Sequence, residues 1–321
     1  MKRKFIAVIV LSAMSGIMLS GQVTEAEKNL RTVTADTTQG WKKGGVFAIN
    51  LAQTSLTNWA AGGQNSVAVN GIFSVFANLK KGKSRWDNSL DIGYGLLKQG
   101  KNNPFRKTDD KIDFLSKYGR EAFKNVYYAA LFNFKTQMTP GYNYINDTLK
   151  NKISNLFAPA YLLLAIGLDY KPNAYFSAFI APLTLKFTFV TDPDFYLLPG
   201  GAFGVTQGKK SLSEIGGYVR VIYSKNDFKN DFMKNVSFTT KIDLFSNYLK
   251  NPQNIVVNWE NMFAMKVNKF ISASFNTDLI YDDKIKVPFD KNGDGKIAAG
   301  ESIGSKIQFK EILGVGFSYK F

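Results

Sequence analysis

The 321-residue chain holds 41 lysines and arginines against 25 aspartates and glutamates, a net charge of +16, and contains neither cysteine nor histidine. Those absences exclude disulfides, thiolate metal sites, a cysteine nucleophile and a lipidated N-terminal cysteine, together with every acid–base or zinc mechanism built on imidazole; the chain is expected not to be an enzyme. The basic residues are scattered singly and in pairs through aromatic-rich segments, with no basic helix and no nucleic-acid motif, so the positive excess points to an anionic lipid surface rather than to nucleic acid.

Residues 1–21 read as a secretory signal peptide. Lys2, Arg3 and Lys4 form a basic head, Phe5 to Leu19 an apolar run short for a spanning helix, and Ser20 and Gly21 supply small residues at the exit. Gly21 and Ala26 both suit the cleavage position. Residues 22–43, "QVTEAEKNLRTVTADTTQGWKK", are polar and without a clear period, and are expected to form a periplasmic lead-in. No later stretch is long and apolar enough for a membrane helix, so residence in a membrane has to be arranged by strands.

From 44 to 321 the period is two. In "SRWDNSLDIGYGLLKQ" the even positions hold Trp86, Leu90, Ile92, Tyr94 and Leu96, and the odd ones Asp87, Ser89, Asp91, Gly93 and Gly95. The alternation returns in Val126, Tyr128, Ala130, Phe132 and Phe134, and in Val236, Phe238, Ile242 and Leu244. It returns again at the end in Leu313, Val315, Phe317, Tyr319 and Phe321. About twelve such segments follow one another, most of ten residues or more, where soluble strands average about 5–6. The connections alternate between short turns ("KKGKS", "KPNA", "VNK") and long loops, with "LKNPQN" a short exception on the long-loop side. These features predict a transmembrane antiparallel β-barrel of about 12 strands, with short periplasmic turns and long extracellular loops. A secreted β-sandwich or propeller would share the alternation, but with shorter strands or a blade repeat.

"LAQTSLTNWAAGGQNS", "YGREAFKNVYYAALFNF" and "APLTLKFTFVTD" resemble an uncharacterised family of bacterial outer-membrane barrels labelled as a domain of unknown function, DUF3078. The resemblance runs from about Trp41 to Phe321, with Trp59-Ala60-Ala61-Gly62-Gly63 as its most specific mark. It implies an outer-membrane barrel and carries no activity. A terminal aromatic such as Phe321 also resembles the signal read by the outer-membrane assembly machinery, which with outer-membrane lipid is the expected partner. Other protein partners are not legible.

Alternation assigns Asp87, Asp91, Arg220, Lys241, Asp243, Glu260 and Asp278 to the lumen, with Lys135, Asp169, Lys186, Asn258, Asn276, Lys310 and Lys320 on the same side. Charged walls suit a solute path, whereas mutual pairing, for example of Lys241 and Asp243 with Glu260, suits structural filling of a barrel narrower than the wide porins. Two functions follow: a restricted pore or transporter for small solutes, or a non-conducting scaffold or accessory subunit of an outer-membrane complex. Neutralisation of Arg220, Lys241, Asp243 and Glu260 among themselves across a closed lumen would favour the scaffold. Trp41, Trp59, Trp86 and Trp259 suit interface girdles better than ligand-stacking platforms. "GAFGVTQGKKS" fails the phosphate-loop spacing, having Phe203 where glycine is needed and Lys210 where a hydroxyl is needed.

"DKNGDGKIAAGE", residues 290–301, matches a calcium-binding loop. Asp290, Asn292 and Asp294 supply side-chain oxygens, Gly295 the sharp turn, Lys296 a carbonyl, and Glu301 two closing oxygens, with Ile297 at the apolar place and Ala298 acting through water. Pro288 before it and a strand soon after it exclude a sensor's helix pair. The expectation is a structural Ca2+ that rigidifies an extracellular loop; a metal-free polar turn is the alternative.

Overall fold

The computed structural model describes residues 39–56, 64–101, 103–144, 150–173, 175–225, 227–230, 233, 235–266, 271–288 and 303–320. The signal peptide, most of the lead-in, the Trp59–Gly63 element, the calcium-type loop and Phe321 lie outside the described residues.

Long alternating segments form long strands. In chain order these are β1 (Gly40–Thr54), β2 (Ser66–Lys81), β3 (Ser84–Gln99), β4 (Arg106–Phe123), β5 (Val126–Thr136), β6 (Gly141–Tyr144), β7 (Lys150–Ser154), β8 (Ala160–Tyr170) and β9 (Phe176–Phe189). A one-turn helix α1 (Pro193–Tyr196) follows, then β10 (Ser211–Lys225), β11 (Val236–Asn247), β12 (Val256–Lys266), β13 (Ile271–Tyr281), β14 (Val287–Pro288), β15 (Ile303–Gly304) and β16 (Gln308–Lys320). Among the described residues twelve strands close into an antiparallel barrel in the order β1-β16-β13-β12-β11-β10-β9-β8-β5-β4-β3-β2. The seam is a ladder between β1 and β16, running from Val46 opposite Lys320 to Ile49 opposite Phe317. The pairs β6–β7 and β14–β15 stand apart as small hairpins in two of the long loops.

The barrel begins at Gly40, ahead of the expected boundary at 44. Trp41 extends the outward apolar series of β1, opposite Leu79 and with its ring centroid 5.9 Å from that of Trp86. Short connections join β2 to β3, β4 to β5, β8 to β9 and β12 to β13 on the rim from which β1 starts. The connection from β10 to β11, residues 226–235, is longer than its neighbours on that rim. The loops carrying β6–β7, α1 and β14–β15 gather at the opposite rim. By the loop-length rule the first rim is periplasmic and the second extracellular.

β9 shows how one residue re-aims a wall. Pro182 lacks the N–H that a central strand needs, and the register slips beside it against both neighbours, between Ile166 and Leu168 of β8 and between Gly216 and Tyr218 of β10. Before the slip Ser177, Phe179 and Ala181 are the buried positions; after it Thr184, Lys186 and Thr188 are. Gly167 sits opposite this bulge, where a Cβ would stand 2.0 Å from the carbonyl oxygen of Ile180.

The outer face is apolar and open: Phe47, Leu51, Phe73, Phe132, Ile166, Ile180, Leu183, Phe263, Phe309 and Phe317 are all exposed. On a soluble protein such a belt would aggregate; around a closed barrel it is the lipid-facing band. Trp41, Trp86, Tyr118, Tyr128 and Tyr170 lie outward towards the periplasmic rim and Trp259 outward towards the other, which is the girdle arrangement. Two indole N–H groups stay satisfied, Trp86 donating to Ser116 Oγ and Trp259 to Thr240 Oγ1, each at 2.9 Å.

Candidate functional site in the lumen

One wall of the lumen is filled. Leu131, Ala165, Phe179, Ala181, Tyr218 and Phe245 pack together inside β5 and β8 to β11, with Phe179 wholly buried. Beside them Arg220 clasps Asp243 with two bonds, Nε to Oδ1 at 2.6 Å and Nη2 to Oδ2 at 3.0 Å, while the Tyr218 hydroxyl donates to Oδ1 at 2.6 Å. Registry continues the charge pattern, since Lys241 lies opposite Glu260, Glu260 opposite Asp278 and Asp278 opposite Lys310. Lys241 meets Glu260 at 2.6 Å and Lys310 meets Asp278 at 2.9 Å. Of the seven principal lumen candidates, Arg220, Lys241, Asp243, Glu260 and Asp278 are thus brought onto the wall from β10 to β13.

The other two lie on β3. Asp87 reaches Lys171 at 3.2 Å, a bridge that bypasses β4 and β5 towards the periplasmic end of β8. Lys171 also meets Asp169 at 3.4 Å, and Asp169 is held by Lys117 at 2.6 Å and by the hydroxyl of Ser177 at 2.7 Å. Asp91 makes no ion pair with a described residue. It stands between Ser74 of β2 and Asp113 of β4, and Asp113 is itself held by Asn133 at 2.6 Å and Lys135 at 3.3 Å.

Asp91 opens onto a chamber of about 430 Å³, lined chiefly by β2, β3, β4, β12, β13 and β16 and reached also by Lys135 and Tyr161. Glycines on β3 give way to neighbouring side chains there. Gly93 lines the chamber, and at Gly95 a Cβ would meet Asn70 Oδ1 at 2.0 Å and Thr108 Oγ1 at 2.6 Å.

Above the chamber the loop after β13 leans inwards. Lys284 Nζ donates to Glu214 Oε1 at 2.5 Å, Asn247 Nδ2 donates to the same oxygen at 2.8 Å, and Lys186 bridges Asp282 at 3.5 Å. Glu214 and Asp282 are buried. Sequence reasoning singled out neither Glu214 nor Lys284, although Glu214 is in phase with Arg220 along β10.

Outside the membrane, the loop bearing α1 is pinned to β7. Lys152 reaches Asp192 at 2.8 Å and Asp194 at 2.6 Å, Asn155 donates to Asp192 at 2.6 Å, and the N–H of Asp194 caps onto Asp192 at 3.0 Å. Burial alone would raise the Asp192 carboxyl, but the Lys152, Asn155 and Asp194 donors outweigh it and hold it below the ordinary value. A carboxyl lowered on folding gives stability that is complete above the unfolded value of about 3.9 and is lost as pH falls through its own lower value. The melting temperature is therefore expected to fall between pH 4 and pH 2.5 by more in the parent than in Asp192→Asn; equal falls would remove this pin from the acid response.

With this geometry in place, comparison with known proteins gives a partial family match. Residues 51–142 match the family described as Protein of unknown function (DUF3078). The match covers the end of β1, all of β2 to β5 and the start of β6, and so includes Asp87, Asp91 and Asp113. No curated protein matches the sequence. Among solved structures, the translocator domain of the autotransporter NalP from Neisseria meningitidis is similar at 10% identity and a TM-score of 0.39, covering 98% of this chain and 97% of its own. An outer-membrane channel from Pseudomonas putida F1 is similar at 8% identity and a TM-score of 0.38, covering 89% of this chain and 97% of its own. The chain is an outer-membrane type of β-barrel.

Proposed function

We propose that the barrel gives small polar solutes a narrow, one-sided path across the outer membrane. The observation that carries this reading is the asymmetry of the lumen: packing and ion pairs occupy the β5 and β8–β11 wall, while a chamber of about 430 Å³ with charged side chains in its lining stands against the other. Lys284 on Glu214 places a loop across the extracellular side, and the Asp87–Lys171–Asp169–Lys117 network crosses the periplasmic side. Both are polar contacts that exchange with water more readily than packed aromatics. In this reading residues 1–21 direct export, the outward aromatics of β16 serve insertion, and the chamber does no covalent chemistry.

The non-conducting scaffold has its own observation in support, because Arg220 pairs with Asp243 and Lys241 with Glu260. Planar-bilayer recording and liposome swelling of the purified barrel separate the two. Small, discrete conductance steps are expected, larger in Lys284→Ala, which removes one inward tether of the loop while Asp282 keeps Lys186 and Glu214 keeps Asn247. If parent and variant are both silent, the path is wrong and the scaffold stands.

A further inference from the structure

The chamber's charges do not cancel. Its lining includes six carboxylates against three ammonium groups, in a protein whose whole chain is strongly basic. Four of the carboxylates are answered: Asp113 by Lys135, Asp278 by Lys310, Glu260 by Lys241 and Asp110 by Lys107. Asp109 accepts from the N–H of Asp110. Asp91 makes no ion pair with a described residue, although Lys111 lines the same chamber, and its buried Oδ1 has no hydrogen-bond partner in the protein.

Two neutral side chains on the same lining are also unanswered. Ser74, directly opposite Asp91, is 0% exposed and its hydroxyl has no partner. Asn276 on β13 is 5% exposed, and neither its amide nitrogen nor its amide oxygen has a partner. Buried polar atoms normally find partners, and a buried carboxylate without a counter-charge is costly. Three such groups on one chamber describe a complement: a cation at Asp91 and Ser74, and a group that both donates and accepts at Asn276.

A divalent metal fits poorly. Calcium draws six to eight converging oxygens and magnesium an octahedron of six, and no group of three acidic side chains among the described residues is placed to hold either. The volume instead matches the lower range of small-molecule sites, about 300–1,000 Å³. We propose that the chamber binds a small organic ammonium solute that also bears hydroxyl or amide groups, with Asp91 as the residue that selects its charge. This names the cargo class of the path proposed above, and rests on that reading only for how the solute arrives.

The test is calorimetric titration of the full barrel in detergent with ethanolamine hydrochloride and with glucosamine hydrochloride, beside glucose and magnesium chloride. At least one ammonium compound is expected to bind saturably, glucosamine more tightly than glucose, and Asp91→Asn is expected to weaken ammonium binding by about tenfold or more. Asp91→Asn should melt no lower than the parent, since it removes a half-buried carboxylate that makes no ion pair, so lost binding would not be lost folding. No saturable heat with either ammonium compound, equal binding of glucose, equal binding by Asp91→Asn, or tighter binding of magnesium would each overturn the inference. Conductance without ammonium binding would leave the path standing and remove the cargo class; ammonium binding in a silent barrel would do the reverse.

Discussion

Replacing Arg220 by methionine is expected to destabilise the barrel by about 3–5 kcal/mol, because the change strands the Asp243 carboxylate in a packed interior. Arg220 and Asp243 are 5% and 9% exposed, and the pair lies against Phe179 and Tyr218. Tyr218 would remain as a donor to Asp243, but a neutral hydroxyl does not replace a bidentate guanidinium. A variant carrying Arg220→Met, Asp243→Leu and Tyr218→Phe removes the charges and the phenol together. It should recover most of the loss, since well-packed apolar groups often equal a buried ion pair. Denaturant unfolding in micelles, followed by tryptophan fluorescence, measures both. A cost below about 1 kcal/mol for the single change would place this pair in the range of exposed ion pairs and contradict a dry wall.

Calcium should raise the melting temperature through the loop between β14 and β15. Pro288 lies opposite Ile303, so the segment 289–302 leaves and rejoins the hairpin at neighbouring points. That suits a ligand set running from Asp290 to Glu301, whose oxygens have to converge. For a dissociation constant of about 10⁻⁴–10⁻³ M, usual for extracellular modules, 10 mM calcium would add about 1.4–2.7 kcal/mol. Melting with calcium, with magnesium and with chelator, for the parent and for Asp290→Ala/Glu301→Ala, reads it directly. Equal protection of parent and double variant would reduce the segment to a polar turn.

Strand boundaries and facing were legible because one face of each strand meets lipid and the other does not; a period of two then names the inward residues without any partner being known. Registry was less legible. Lys241 does lie opposite Glu260, but Asp243 belongs to Arg220 on the other neighbouring strand. Asp87 reaches past two strands to Lys171, a contact set by barrel curvature rather than by any local pattern. The filled wall escaped notice for a different reason. Phe179, Tyr218 and Phe245 are inward aromatics, whereas pattern reading assigns aromatics to lipid, and in β9 the inward Phe179 and Ala181 are flanked by apolar Ala178 and Ile180 before the Pro182 bulge reverses the phase. Glu214 gained its importance from Lys284, about seventy positions away in sequence.

The seam has a kinetic consequence. Most neighbouring barrel strands are joined by a turn or loop in the same stretch of chain, so their ladders can zip as hairpins as soon as both strands are present. β1 and β16 are the exception, separated by most of the chain and meeting over a short ladder from Val46 to Ile49. Contacts of such long sequence separation bear the largest loop-closure entropy and form last. Until then the protein is a curved sheet with two exposed edges, able to pair with any strand offered to it. Its assembly rate should therefore follow the encounter of those two edges rather than the formation of any single hairpin.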